Sequence, residues 1–155
     1  MNIYLEKFIK EKFKNPGKAL DLGAGDFVDV KSLEDIGWKC EGVDIKSGVN
    51  LENVYISKNK PFDLVFSNYV IHKIKNKKNF ISTIFNNLKQ NGWIFIHTFD
   101  ESDENSTSDM TSLFSKKILE EHGFINISTN VFDFYDDDEG HKHFHKILEI
   151  IAQKP

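Results

Sequence analysis

The chain predicts a doubly wound α/β fold: a mostly parallel sheet with helices on both faces, finished by a C-terminal antiparallel strand. Three observations carry this. Strand and helix patterns alternate from residue 18 to residue 122, the order that builds parallel crossover units. A glycine-bearing turn, DLGAG at 21 to 25, ends the first strand, as happens where such a sheet meets a ligand. Two long strand patterns close the chain, joined by the polar turn DDDEG, and read as a hairpin.

Taken in order, Ile3, Leu5, Phe8, Ile9 and Phe13 share one face of a helix over 3 to 13, which Pro16-Gly17 stops. The first strand is Ala19 to Leu22. A helix from about Asp26 to Ile36 ends at Gly37, and Trp38 to Ile45 is the second strand. Between Asp44 and the clear strand at Phe62 lie only 17 residues. A crossover takes at least about 10 to 12 residues, so the third strand is expected to be short and its preceding helix missing. FDLVFS, 62 to 67, is apolar on both faces apart from Asp63, the pattern of a central parallel strand and the fourth in this count. Phe80, Ile81, Ile84, Phe85 and Leu88 fall at helical spacing within 79 to 89, before Asn91-Gly92. WIFIHTF, 93 to 99, is the fifth strand, and a polar loop leads to a helix from Ser112 to His122. Phe124 to Tyr135 and His141 to Ala152 form the hairpin, the first parallel to the core sheet and the second returning antiparallel.

Composition narrows the function classes. At 155 residues the chain is expected to form one domain, 1 to 155, with a core of its own. No apolar run approaches membrane-spanning length, so no membrane role is expected. All 20 basic residues are Lys, and Arg is the residue of bidentate phosphate and guanine contacts. With a net charge of −4, this argues against a nucleic-acid partner. The single Cys40 forms no internal disulfide and reads as a buried structural thiol. Charges interrupt the N-terminal apolar residues, so no secretory leader is read and a cytoplasmic location is expected.

The turn Asp21-Leu22-Gly23-Ala24-Gly25 is where chemistry concentrates. Glycine lets a ligand come close to the backbone. A dinucleotide would set its pyrophosphate here, where the Asp21 carboxylate would repel it. S-adenosylmethionine instead presents an ammonium and a sulfonium, which a carboxylate attracts. The third glycine of the dinucleotide fingerprint would fall on Val28, a further argument against a nicotinamide oxidoreductase. The plainer alternative is a strand-to-helix turn with no ligand.

The strand-end acid followed by Gly-x-Gly resembles the first motif of the class I S-adenosylmethionine-dependent methyltransferases, a Rossmann-like family whose last strand inserts antiparallel beside the sixth. The resemblance covers nearly the whole chain, the deletion after Asp44 being its main departure. Within the family, the chain is most similar to the small tellurite-resistance-type methyltransferases. That likeness rests on NNLKQNGWIFIHTFD, on FSKKILEEHGF and on the acidic, His-containing hairpin ending IIAQKP. It implies S-adenosyl-L-methionine as cofactor and methyl transfer to a small-molecule or small inorganic acceptor. The rival within this reading is a cofactor-binding domain without catalysis of its own, acting in a complex.

The resemblance further implies that Asp21, Gly23, Ala24 and Gly25 meet the methionine half of the cofactor and that Asp44 meets the ribose. It implies that Ile45 stacks on the adenine and that Ser67 or Asn68 holds the amino group. The adenine-edge contact is left to Asn50 to Glu52. His72 and His97 are the candidate bases, needed only where a proton masks the acceptor's lone pair. His141, His143 and His145 alternate along one strand face, where imidazoles could hold a metal or an anionic substrate. Solvent-facing alternation is the simpler account, so no metal is assigned. His143, with His141 or His97, is the candidate acceptor contact, and His145, further from the turn, is expected to matter less.

Overall fold

The computed structural model describes every residue except 138, 139 and 141. Asn2 starts the first helix, α1 (Ile3–Lys12): its side-chain oxygen accepts from the backbone N–H of Tyr4 at 2.9 Å and of Leu5 at 3.2 Å. The helix buries Leu5, Phe8 and Ile9, the face its periodicity marks. The strands are β1 (Lys18–Leu22), β2 (Lys39–Val43), β3 (Phe62–Asn68), β4 (Leu88–Phe99), β5 (Ile125–Asp136) and β6 (His143–Gln153). Between them run α2 (Val28–Asp35), α3 (Lys77–Asn87) and α4 (Ser112–Glu121).

One sheet takes all six strands in the order β2-β1-β3-β4-β6-β5. β1 to β4 pair in parallel, and β6 is antiparallel to both of its neighbours, so β5 at the edge runs with the parallel set. This is the mostly parallel, doubly wound sheet with a C-terminal antiparallel strand that the sequence predicts. Two cores fill its faces. Leu5, Phe8, Leu33, Leu64, Phe66 and Phe95 pack under α1 and α2, while Val65, Phe80, Ile84, Ile94, Ile96 and Leu119 pack under α3 and α4. The topology brings the ends of β1, β3 and β4, with the β5–β6 hairpin, to a single edge.

Two expectations need correcting. The short third strand is absent altogether: between Val43 and Phe62 the chain makes a 3-10 turn at Ile45–Ser47 and no strand. Side chains of α3 take the backbone bonds that a strand would have made. The N–H of Tyr55 donates to Thr83 Oγ1 at 3.0 Å and that of Ser57 to Asn87 Oδ1 at 2.9 Å, and Asn87 Nδ2 donates to the Tyr55 carbonyl at 2.8 Å. The Glu52 carboxylate meanwhile accepts the N–H groups of Lys75 and Asn76 just before α3, both at 2.8 Å. The segment is thus satisfied against a helix instead of a sheet edge. The second correction is smaller. α2 begins at Val28 and not at Asp26, because Phe27 takes the left-handed conformation, φ 61°.

No helix among the described residues is long and apolar enough to cross a membrane. Asn87 is fully buried and also donates to the Thr83 carbonyl, so replacing it strands several polar groups. Asn87→Ala is expected to cost about 1 to 3 kcal/mol. Thermal denaturation should register about 2 to 4 °C for each kcal/mol in a chain of this size. An unchanged melting point would mean that the segment over residues 49 to 61 is held by something else.

Candidate functional site

The glycine turn is closed by bonds within the protein. The N–H groups of Gly23 and Ala24 both donate to the Val43 carbonyl, at 2.8 and 3.0 Å, tying the end of β1 to the end of β2. Gly23 has φ 87°, and a Cβ there would stand 2.2 Å from Val70 Cγ2. Glycine is therefore required by packing against Val70 as well as by conformation, a reason that the sequence did not show. Gly25, φ 52°, is different: a Cβ there would meet nothing within 4 Å, so this backbone faces open space.

Asp21, at the end of β1, is only 4% exposed. Among the described residues the fully buried side-chain atoms without a partner are Ser106 Oγ and Ser115 Oγ, so the Asp21 oxygens are not sealed from both solvent and donors. Burial, with the neighbouring charges of Asp29 and Asp44, pushes its pKa up to about 8. Near neutral pH it is therefore largely protonated, and a bound cation would favour its ionised form.

Asp44 carries the opposite electrostatics. Its carboxylate accepts the N–H of Lys46 at 3.0 Å and of Gly25 at 3.1 Å. The bond from Lys46 is the main force holding it below the usual carboxylate range. Ile45 beside it is 66% exposed, an apolar side chain left open. Asp44, Ile45 and Gly23 line a cavity of about 290 Å³ together with Asn50, Leu51, Glu52 and Val70. The segment that replaces the third strand thus supplies one wall, and Asn50 to Glu52 lie where the adenine-edge contact is expected.

The ends of β3 hold the site together through bonds already made. Ser67 Oγ is buried and donates to the Leu22 carbonyl at 2.7 Å. Asn68 Nδ2 donates to Asp29 at 2.9 Å, and its oxygen accepts from Asn2 Nδ2 at 3.2 Å. Asp29 also accepts the N–H of Asn2 at 2.9 Å. Asn2 and Asp29 were not anticipated, since nothing in their spacing marks them. They lock α1, α2 and β3 to one another at the site's edge.

The histidines separate into different roles. His97 is fully enclosed between Phe95, Tyr4 and Phe132, and both ring nitrogens are engaged: Nε2 with Glu149 at 2.9 Å and Nδ1 with Asn2 at 3.4 Å. Asn2 donates to Nδ1, so Nε2 carries the proton and donates to Glu149. This corrects the expectation that His97 opens onto the acceptor. His72 is half-buried, with Nδ1 3.0 Å from Thr98 Oγ1, and lines neither cavity described here. Burial first, then Lys73 and Lys77, lower its pKa to about 4, which makes it a weak base.

His143 and His145 stand together, their Nε2 atoms 3.0 Å apart. One ring donates to the other at that distance. His145 Nδ1 is 3.0 Å from the buried carboxylate of Asp103, which also accepts the Lys146 N–H at 2.6 Å. His145 was expected to matter less than His143. The structure instead buries it on Phe99, ring centroids 4.7 Å apart, and backs it with an acid. Asp103 lies in a polar loop whose sequence carries no sign of this. His141 lies outside the described residues, and among those described no group of three His, Cys, Asp or Glu could hold a metal ion.

A second cavity, of about 530 Å³, opens at the same end of the sheet. Residues 1 to 4, Tyr69, Phe99, Phe134, Asp136, Asp137, His145 and Ile147 line it. Tyr69 faces this cavity and Val70 the smaller one, so consecutive residues after β3 divide the two. Tyr69 does so in a left-handed conformation, φ 60°, uncommon for a bulky side chain and found at sites the surroundings constrain. A larger lysine-lined groove of about 690 Å³ along the starts of α3 and α4 holds no residue of this site.

Comparison with known proteins gives a consistent picture. A family described as a methyltransferase domain matches residues 4–139. No curated protein matches the chain by sequence. Among solved structures, phosphoethanolamine N-methyltransferase 2 of Haemonchus contortus, in complex with S-adenosyl-L-methionine, superposes with a TM-score of 0.78 at 16% identity, over 99% of this chain and 52% of that one. The present chain thus spans about half of that protein's length. TehB of Haemophilus influenzae gives 0.75 at 16% identity, covering 100% and 63%. The 1,6-didemethyltoxoflavin-N1-methyltransferase of Burkholderia thailandensis, with bound 1,6-didemethyltoxoflavin and S-adenosylhomocysteine, gives 0.71 at 14% identity, covering 99% and 81%.

The Asp21 carboxyl yields a stability prediction. Its pKa is about 8 when folded and near 3.8 when unfolded, so between these values the folded chain binds the extra proton and stability falls as pH rises. Asp21→Asn removes that loss. Its melting point should exceed the parent's by a margin that widens from pH 5 to about pH 8. A variant that is no more stable at pH 8 than at pH 5, relative to the parent, would show that the acid has a partner after all.

Proposed function

The chain belongs to the methyltransferase-domain family, and from that premise we propose that it transfers the methyl group of S-adenosylmethionine to a small-molecule acceptor held in the larger cavity. The observation that carries this reading is the turn at the end of β1: Asp21, a nearly buried acid with its pKa pushed up to about 8, followed at Gly25 by backbone that opens onto free space. An ammonium and a sulfonium fit that seat, and a pyrophosphate does not. Asp44 retains free lone pairs for ribose hydroxyls beyond its two backbone bonds, and the exposed Ile45 offers an apolar face to a flat base. The neighbours bound to S-adenosylmethionine, to S-adenosylhomocysteine and to toxoflavin-type or phosphoethanolamine-type acceptors support a small molecule as substrate.

Methyl transfer is an in-line displacement at an activated carbon, so the protein's task is largely one of orientation. The cavity division at Tyr69 and Val70 sets donor and acceptor sides next to each other. Where the acceptor carries a proton on its attacking atom, we assign the role of receiving it to His145, which lines that cavity and is backed by Asp103 with His143 against it. His97 and His72 hold structural positions in this reading.

S-adenosylhomocysteine should raise the melting point, since a ligand at 100 times its dissociation constant adds about 2.7 kcal/mol, and NAD should not. Its affinity should also rise with pH up to about 8, because the seat binds the cation only after Asp21 loses its proton. Stabilisation by NAD alone, or an affinity that falls over that range, would overturn the assignment.

A second measurement addresses the histidines. Screening acceptors with labelled S-adenosylmethionine, with methylated product read by mass, provides a turnover assay. His143→Ala and Asp103→Asn should each lower turnover by about 100-fold or more while S-adenosylhomocysteine affinity holds. Wild-type turnover in both would leave these groups a purely structural part.

A further inference from the structure

A second surface lies apart from both cavities of the site. The groove of about 690 Å³ along the starts of α3 and α4 is lined by Lys75, Lys77, Lys78 and Lys117, with Asp109 and Glu121 as the acids of the same lining. Lys77 is buried and engaged: its Nζ lies 2.8 Å from Asp109 Oδ1 and donates to the Ile74 carbonyl at 2.8 Å, which ties the start of α3 to the loop before α4. Among the described residues Lys75, Lys78 and Lys117 make no ion pair. Glu52 feels the charges of Lys75 and Lys77 but stands outside the lining. Four lysines against two acids leave the lining positive, on a chain whose net charge is −4. The apolar part of the lining comes from α4, where Phe114 and Ile118 share a face with Lys117 and Glu121. Phe114 is 37% exposed, and Leu113 next to it is 80% exposed, so apolar surface stays open beside the unpaired ammonium groups.

We propose that this groove docks a partner protein through an extended acidic segment that carries an aromatic or aliphatic residue. Unpaired ammonium groups attract carboxylates, and a positive groove on an otherwise negative chain steers an acidic partner to this face. An apolar side chain of the segment packs on Phe114 and covers a ring that the fold leaves partly open. Two other kinds of occupant fit less well. A phosphate backbone would run past Asp109 and Glu121 and would meet no arginine. A lipid surface is too flat to enter a groove, and the same two acids would face its anionic headgroups. The groove shares no residue with either cavity, so the proposal stands independently of the methyl-transfer reading and goes beyond it.

The test uses the whole chain and fluorescein-labelled peptides followed by anisotropy. The first peptide is a short run of Asp and Glu around one Phe, the second carries Ala in place of the Phe, and the third carries Asn and Gln in place of the acids. The first should bind at least about tenfold more tightly than either of the others. Its advantage over the third should shrink as salt is raised. Lys78→Glu and Lys117→Glu should each weaken binding several-fold by reversing a charge, and Phe114→Ala should remove the preference for Phe. The melting point and S-adenosylhomocysteine binding of each variant should match the parent's, since none of the three residues lines either cavity. Oligothymidylate and vesicles of phosphatidylserine in phosphatidylcholine are titrated in parallel, and the mass of the chain in solution is measured over the same concentrations. Equal binding of the three peptides, no binding, or tighter binding of oligothymidylate or vesicles would overturn the proposal. Self-association that Lys78→Glu abolishes would overturn it too, by naming a second copy as the occupant. A chain that binds the first peptide and not S-adenosylhomocysteine loses only the methyl-transfer reading.

Discussion

A carboxyl group taken almost out of water resists ionisation, and at the edge of this sheet Asp21, 4% exposed, has its pKa pushed up to about 8. The nearby donors are all committed elsewhere. Gly23 and Ala24 give their N–H groups to Val43, Gly25 gives its own to Asp44, Ser67 gives its hydroxyl to Leu22, and Asn68 gives its amide to Asp29. These bonds splice the ends of β1, β2 and β3 into one rigid rim. The rim fixes the position of the strand end that carries the acid.

The opposite end of the rim depends on β6. Its insertion between β4 and β5 sets Glu149 beside His97 and carries His143 and His145 past the end of β4. The same strand therefore makes one histidine structural and leaves His145 at a cavity wall with His143 against it. Depth in the sheet decides between them: His97 lies within the paired length of β4, under α1, while residue 143 pairs only with the hairpin partner Asp136.

The segment after Asp44 shows how a deletion is accommodated. A helix and strand are missing, and the sheet ends at β2. Thr83 and Asn87 satisfy the backbone at Tyr55 and Ser57, Glu52 caps the N–H groups of Lys75 and Asn76 ahead of α3, and Glu41 accepts the hydroxyl groups of Tyr55 and Ser57, both at 2.7 Å, across the otherwise open edge. The shortened segment still reaches the smaller cavity with Asn50 to Glu52. Function at that wall is kept with fewer residues.

By itself the sequence determined the elements and their order, because hydrophobic period, glycine stops and strand length are local properties of the chain. It also marked the glycine turn at a strand end and Asp44 at a fixed offset from it, while Ile45 was named through the family resemblance and its exposure belongs to the fold. The third strand was misjudged because its fate lay with Thr83 and Asn87, roughly 30 residues away, and no local pattern records such bonds. The histidines were legible as candidates but not as roles: burial and partner choice depend on which strand lies beside which. Asp103 against His145, at a separation of 42 residues, and Asn2 against Asn68, at 66, are contacts that only packing creates. The tertiary structure alone decided which acid is nearly buried, which histidine is enclosed, and that a cavity lined by aromatic rings opens at the same end of the sheet. Each depends on surroundings assembled from distant segments, while a sequence pattern reports only the neighbours along the chain.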